Sequence, residues 1–266
     1  MNLIETFISA EFTRAFAWTL FHSLWQGGLI ALMAAVVITL LKRHKPELRY
    51  TILCVLLFML PVLFAGTFIY YYSQGSQVAV AVKADSTNAV LQTDLLGEHI
   101  KAYSSNNPSM GWRMVTYQTI EKQSSVFFLT WMIGFLFFLM RFAGSLFLVH
   151  RLKTGKNYQL GLYWEDRLKE LSAQLKLRKP VRLLESALAK VPMTIGYLKP
   201  VILLPIGTIS GVPPLQIEAI LLHELAHILR KDYLVNILQS IIELLFFYHP
   251  ATWWISGLIR QEREHI

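Results

Sequence analysis

The chain has 266 residues, of which 54% are hydrophobic, and a mean hydropathy of +0.43, more than the core of a soluble protein of this size requires. This composition predicts a membrane protein. The formal charge of +8 does not indicate direct nucleic-acid binding, because the basic residues form no nucleic-acid motif and crowd beside apolar segments. The single cysteine, Cys54, excludes an intrachain disulfide and a thiolate metal site, so any metal must be held by His and carboxylate side chains.

Three apolar segments, 16–41, 50–72 and 125–150, are long enough to cross a bilayer, which takes roughly 20 residues. The first has no signal-peptide pattern ahead of it and is expected to be a retained anchor. Lys and Arg are concentrated in the short loop 42–49 and again after residue 150, so both are expected on the cytoplasmic side. The N-terminus and the polar, mostly irregular segment 73–124 are then outside.

The character of the chain changes to mixed polarity after residue 150. Apolar residues at helical spacing predict an amphipathic helix over 163–177. The stretches 180–186 and 192–205 are typical of short strands, and the second is expected to form a hairpin that turns through Gly196 to Pro200. A small sheet is therefore expected to precede the next helix.

That next helix, predicted over 215–231, contains the sequence HELAH. His223 and His227 are four residues apart, so both imidazoles project from one face and can bind one zinc ion. Glu224 lies beside them and is the expected general base for a metal-activated water. Because the helix is strongly apolar, all three side chains are expected to need a partner, which a metal ion supplies.

A third protein ligand is required, and the downstream sequence leaves several alternatives open. The segment 233–247 is apolar but short, so it is expected to form a buried or re-entrant helix, with a fourth membrane span over 233–258 as the alternative. The candidate ligands in and after it are Glu243, His249, Glu262, Glu264 and His265.

An ordered set of motifs resembles the BlaR/MecR-type membrane zinc metallopeptidases. The motifs are HSLWQG in the first span, then PMTIGYLKPVILLP, HELAHILRKD, HPATWW and ERE. The resemblance implies a mainly α membrane protein with three transmembrane helices and a cytosolic gluzincin-like α+β zinc-protease domain. It also implies that His223, His227 and Glu264 bind Zn²⁺ and that Glu224 is the catalytic base. Glu262 lies two residues before Glu264, on another side of the helix, and is expected to pair with Arg260 or Arg263 on an exposed face.

The apolar spans and the resemblance together predict the domain organisation, and the resemblance implies the partners. Residues 1–72 would hold two transmembrane helices, 73–124 an extracytoplasmic loop, 125–150 the third helix and 151–266 the cytosolic peptidase domain. The protein would lie in the bacterial inner membrane and cleave a cytosolic protein, such as a DNA-binding transcriptional repressor, and itself. The family continues into a further membrane helix and an outward sensor. The oligomeric state stays open, a dimer being one option.

Several assignments keep an alternative. Arg230 and Asp232 either support the zinc site or merely end the helix at an exposed C-terminus. A strand edge at 193–195 or 201–204 either pairs with an extended substrate or only packs in the core. A constitutive quality-control or prenyl-protein protease would use the same chemistry, and in a non-catalytic transducer the zinc would be structural.

Overall fold

The computed structural model describes residues 9–84, 122–155, 157–177, 179–196 and 199–265, with the side chains of 75–84 left aside. Most of the predicted outward segment 73–124 therefore lies outside the described residues. Its first part is not irregular as predicted, because the second helix continues through it to Ala84.

Three long helices match the three predicted membrane spans. They are α1 (Ala10–Leu40), α2 (Pro46–Ala84) and α3 (Ser124–Thr154). By length and composition, each contains a segment apolar enough to cross a membrane. The 31 residues of α1 extend about 46 Å, more than the roughly 30 Å of bilayer hydrocarbon. The prediction of three candidate spans is confirmed.

The internal contacts divide the chain into two units. We call Met1–Leu136 with Leu245–Ile266 the helical unit, and Phe137–Leu244 the sheet unit. Helix α3 begins in the helical unit and ends in the sheet unit.

In the helical unit, α1 and α2 pack against each other and against a later helix, α8 (Pro250–Glu264). Apolar side chains fill these contacts because each helix turns one side toward its neighbours. Ile30 and Ala34 of α1 are buried, as are Ile255 and Ile259 of α8. The buried side chains of α2 are Leu53, Leu56, Leu57 and Leu60.

The sheet unit contains four strands in the order β1-β2-β4-β3. They are β1 (Asn157–Gln159), β2 (Arg182–Ser186), β3 (Met193–Ile195) and β4 (Val201–Pro205). Strands β3 and β4 are antiparallel, which confirms the predicted hairpin, and β2 runs parallel to β4. The sequence did not predict β1. Because β4 is interior and β3 is an edge, only β3 of this hairpin presents an unpaired side within the described sheet.

Two helices cover one face of this sheet. They are α4 (Leu162–Gln174) and α6 (Pro214–Arg230), and a short helix, α5 (Thr208–Gly211), precedes α6. Both α4 and α6 confirm predicted helices. The core that they share with the sheet consists of Trp164, Leu168, Leu171, Leu183, Ile202, Leu204, Ile217, Leu221, Leu225 and Ile228.

Helix α7 (Asp232–Leu245) follows α6 after one residue. Its 14 residues extend about 21 Å, which is short of a bilayer crossing. Since α8 begins only at Pro250, the two helices do not form one continuous span. Among the described residues the candidate spans number three, and neither α7 nor α8 is one of them.

Candidate metal centre

Helix α6 brings the two predicted histidine ligands together. The Nε2 atoms of His223 and His227 lie 3.1 Å apart, and the two rings are perpendicular, at 88°. Two nitrogens bound to one zinc at 2.0–2.1 Å in a tetrahedral site lie about 3.3 Å apart. The spacing and the imidazole chemistry of this pair therefore fit a zinc ion.

A buried carboxylate fixes the orientation of His227. Its Nδ1 lies 2.6 Å from Oδ2 of Asp232, and Asp232 is only 5% exposed. A carboxylate accepts, so Nδ1 carries the proton and donates, which leaves the lone pair of Nε2 for a cation. The hydrogen bond to Asp232 raises the pKa of His227 against the opposing effect of burial.

Arg230 binds the same oxygen of this carboxylate. Its Nη2 donates to Oδ2 of Asp232 at 2.9 Å, and its Nε does so at 3.2 Å. Burial alone would raise the pKa of Asp232, but the hydrogen bonds from His227 and Arg230 outweigh it and lower that pKa. Lys231 ends α6 in a left-handed conformation, with φ +59°, and turns the chain back. The alternative of an exposed helix end is therefore wrong for Asp232.

Glu224 is also buried, at 7% exposure, and the sheet supplies its partner. The hydroxyl of Thr194 donates to Oε2 of Glu224 at 2.7 Å. Thr194 is the middle residue of β3 and is paired with Ile202 of β4. Thr194 could not be predicted from the sequence pattern, because within the hairpin it has no signal of its own; the register of a three-residue strand decides where its side chain points.

Two of the five candidate third ligands have other roles in the helical unit. His249 caps the start of α8, where its Nδ1 accepts from the backbone N–H of Ala251 at 3.1 Å. Its Nε2 lies 3.2 Å from the backbone oxygen of Leu24. Both ring nitrogens of His249 are therefore occupied, and the ring is 3% exposed.

Glu262 is the second candidate ligand that has another role. It is 8% exposed, and its Oε2 lies 3.0 Å from Nη2 of Arg49 in α2. The expected pairing of Glu262 with Arg260 or Arg263 on an exposed face is therefore wrong. Glu264 lies in the last turn of the same helix and is exposed.

Within the described part of the chain, neither of the remaining two candidates belongs to a cluster of His and acidic side chains that could hold a metal ion. Glu243 lies on α7 and is half-buried, and His265 follows α8 as its C-cap residue. The hydrogen bond that orients His227 involves neither of these two residues.

Comparison with known proteins agrees with this architecture. The family model described as BlaR1 peptidase M56 matches residues 19–266. The regulatory protein BlaR1 of Bacillus licheniformis is 27% identical over 179 residues, which are 65% of this chain and 28% of that protein. The methicillin resistance mecR1 proteins of Staphylococcus aureus and Staphylococcus epidermidis are each 27% identical over 105 residues, which are 39% of this chain and 18% of those proteins.

The chain has three candidate membrane spans, and the peptidase family model matches nearly all of it. Together these findings define a membrane protein of the metallopeptidase class. The chain belongs to the BlaR1 peptidase M56 family. The resemblance inferred from the motifs is thus confirmed. The chain spans 28% of the length of the BlaR1 relative and 18% of the mecR1 relatives.

Proposed function

We propose that this chain is a membrane zinc metalloendopeptidase that acts in signal transduction by cleaving a cytosolic protein. The observation that carries the proposal is the pair of converging Nε2 atoms of His223 and His227, 3.1 Å apart. The buried hydrogen bond from His227 to Asp232 supports it, because carboxylates orient metal-binding histidines in this way.

Glu264 is the proposed third ligand. It occupies the second glutamate of the ERE motif, and the neighbouring Glu262 is engaged by Arg49. His249 is engaged at both ring nitrogens. When bound, zinc polarises the substrate carbonyl and lowers the pKa of a water molecule to near 7.

Glu224 is the proposed general base. It takes a proton from the attacking water and passes it to the leaving amine. The hydroxyl of Thr194 occupies Oε2 of Glu224, so Oε1 is the oxygen that is left for proton transfer. A base held in one orientation loses less entropy when the transition state forms.

The substrate is proposed to bind in an extended conformation along β3. This strand is an edge of the described sheet, and backbone hydrogen bonds at a sheet edge hold a peptide without demanding a particular sequence. A regulatory role is supported by the relative named regulatory protein BlaR1. A DNA-binding transcriptional repressor is the proposed substrate class.

The proposed topology places 42–49 and the peptidase domain, 151–266, in the cytoplasm and 73–124 outside. The Lys and Arg excess on the first side supports it. In intact cells, a cysteine introduced at residue 100 of a Cys54→Ser background should react with an impermeant maleimide. Labelling of that cysteine only after lysis contradicts the topology.

Glu224→Gln tests the catalytic role. The variant should keep zinc, since the residue is not a ligand, and lose cleavage by orders of magnitude because the water loses its base. The measurements are zinc content of the purified full chain, self-cleavage, and cleavage of a set of fluorogenic peptides. Glu218→Gln is the matched control, because Glu218 lies on the same helix and only pairs with Arg167.

The outcomes separate the alternatives. Wild-type cleavage by Glu224→Gln overturns the mechanism. Intact signalling by a Glu224→Gln variant that has lost cleavage indicates a non-catalytic transducer. Full cleavage of cellular proteins without any outward signal indicates a constitutive protease.

A further inference from the structure

The ion pair between Arg49 and Glu262 connects two helices of the helical unit at a point next to a proposed metal ligand. The side chains are 16% and 10% exposed, and the charged atoms Nη2 and Oε2 are 3.0 Å apart. Arg49 lies in the first turn of α2, and Glu262 lies in the last turn of α8. The pair is therefore a largely buried contact, not a solvated surface one.

Glu262 and Glu264 point to different sides of α8. Two positions along an α-helix correspond to a rotation of about 200°. Accordingly, Glu262 is buried against α2, whereas Glu264 is exposed. The contact with α2 in the last turn of α8 is thus made by Glu262, on a different side of the helix from Glu264.

The other end of α8 is fixed to α1. His249, the N-cap residue, approaches the backbone oxygen of Leu24 and packs directly on Gly27, where an added Cβ would lie 2.3 Å from the ring. Between the two ends, Ile255 and Ile259 are fully buried. Helix α8 is therefore held at its start by α1 and at its end by α2.

The last turn of a helix depends on such outside contacts. The final carbonyl groups of a helix have no intrahelical partners, so this turn is its weakest part. In α8 that turn carries Glu264, and the buried ion pair of Glu262 lies within it. A displacement of α2 would carry the end of α8 with it.

We propose that Arg49 is a positioning residue for Glu264. Through Glu262 it holds the last turn of α8, and with it the proposed third metal ligand, in a fixed place relative to α2. This inference rests on the proposed function, in which Glu264 binds zinc. Arg49 does not contact the metal; it acts through Glu262.

The test measures the zinc dissociation constant of the full chain in detergent by competition with a chromophoric chelator. Glu264→Ala sets the loss expected when a ligand is removed. Arg49→Met should weaken zinc binding by roughly tenfold, as is typical when a residue that supports a metal ligand is lost. Arg43→Ala is the matched control, because Arg43 is exposed in the adjoining basic loop and should bind zinc as the wild type does.

Charge reversal provides the sharper measurement. Arg49→Glu and Glu262→Arg alone should each weaken zinc binding, and the double variant should recover most of the loss, because the pair is restored with its ends exchanged. If each side chain had only a structural role of its own, the losses of zinc affinity in the two single variants would add in the double variant. If Arg49→Met does not accumulate as folded protein, Arg49→Lys replaces it, with an intermediate affinity expected.

The outcomes distinguish this inference from the proposed function. If Glu264→Ala loses zinc while the Arg49 variants bind it as the wild type does, the positioning role is wrong and the ligand assignment stands. If the double charge reversal is no better than the single variants, the positioning role is also wrong. Stoichiometric zinc in Glu264→Ala overturns the ligand assignment and, with it, the inference.

Discussion

Removing the carboxylate of Asp232 tests how far the protein prepares its metal site. In Asp232→Ala the hydrogen bond to Nδ1 of His227, 2.6 Å long, is lost. The ring can then rotate and take either tautomer, and the tautomer protonated at Nε2 does not bind zinc. The guanidinium of Arg230 also loses its carboxylate partner.

The loss of zinc affinity expected for Asp232→Ala lies at the upper end of the range that is usual for such residues. Loss of a residue that supports a metal-binding histidine typically weakens metal binding 10–100-fold, which corresponds to about 1.4–2.7 kcal/mol. Asp232 is 5% exposed, so water replaces its hydrogen bond poorly. Its bond to His227 joins a carboxylate to an imidazole, and such charge-assisted bonds are about twice as strong as neutral ones. We therefore expect a weakening close to 100-fold.

The assay is a zinc titration of the purified chain against a competing chelator. Asp166→Ala is the matched control, because Asp166 pairs with Lys169 on the exposed side of the sheet unit and should leave zinc binding unchanged. Asp232→Asn keeps an oxygen acceptor and should lie between the two. Equal zinc affinities of Asp232→Ala and Asp166→Ala refute the reasoning.

Three further predictions follow from individual contacts. Thr194→Val should lower kcat about tenfold, which is less than the roughly 100-fold or more that a general base supplies, because Glu224 itself remains. Zinc content should be unchanged, and Thr194→Ser should retain activity; equal kcat values contradict the role given to the hydroxyl. Gly27→Ala should lower the melting temperature because its Cβ meets a buried histidine ring at 2.3 Å, whereas Gly28→Ala has open space and should not. Leu221→Ala should lower the free energy of unfolding by about 2–5 kcal/mol because Leu221 is fully buried, whereas Leu222, 40% exposed, should tolerate alanine; denaturant titration compares the two.

The sequence predicted those features that depend on local pattern. Apolar periodicity located α4 and α6, and glycine and proline punctuation located the hairpin of β3 and β4. The spacing of His223 and His227 put both rings on one side of a helix, because four residues make slightly more than one turn. Each of these inferences needs only neighbours in the chain.

The contacts that hold the site come from distant parts of the chain, and pattern did not predict them. Thr194 reaches Glu224 only because the register of β3 points its side chain toward α6. Arg49 belongs to the basic segment 42–49, whose positive charge was interpreted as a sign of topology, yet it lies in α2 and pairs with Glu262 at the far end of the sequence. A charged motif such as ERE indicates a solvated helix face by composition alone, and only the packing of α8 on α2 shows that one glutamate is buried.

The hydrogen-bond partners of His223, Glu224 and His227 on α6 also differ from expectation. The sequence suggested that all three are buried and that a metal supplies the partner of each. Instead His223 is exposed, while Glu224 and His227 already have protein partners in Thr194 and Asp232.

These partners explain how an apolar helix accommodates ionisable groups. Burying such a group without a hydrogen bond costs several kcal/mol, so Thr194 and Asp232 allow Glu224 and His227 to remain inside the sheet unit before any metal binds. A side chain already held in one orientation needs no reorganisation on binding. Folding and metal affinity should therefore be separable: variants that keep a hydrogen-bond partner, such as Thr194→Ser and Asp232→Asn, should preserve the fold, and differences among them should appear in zinc binding and turnover.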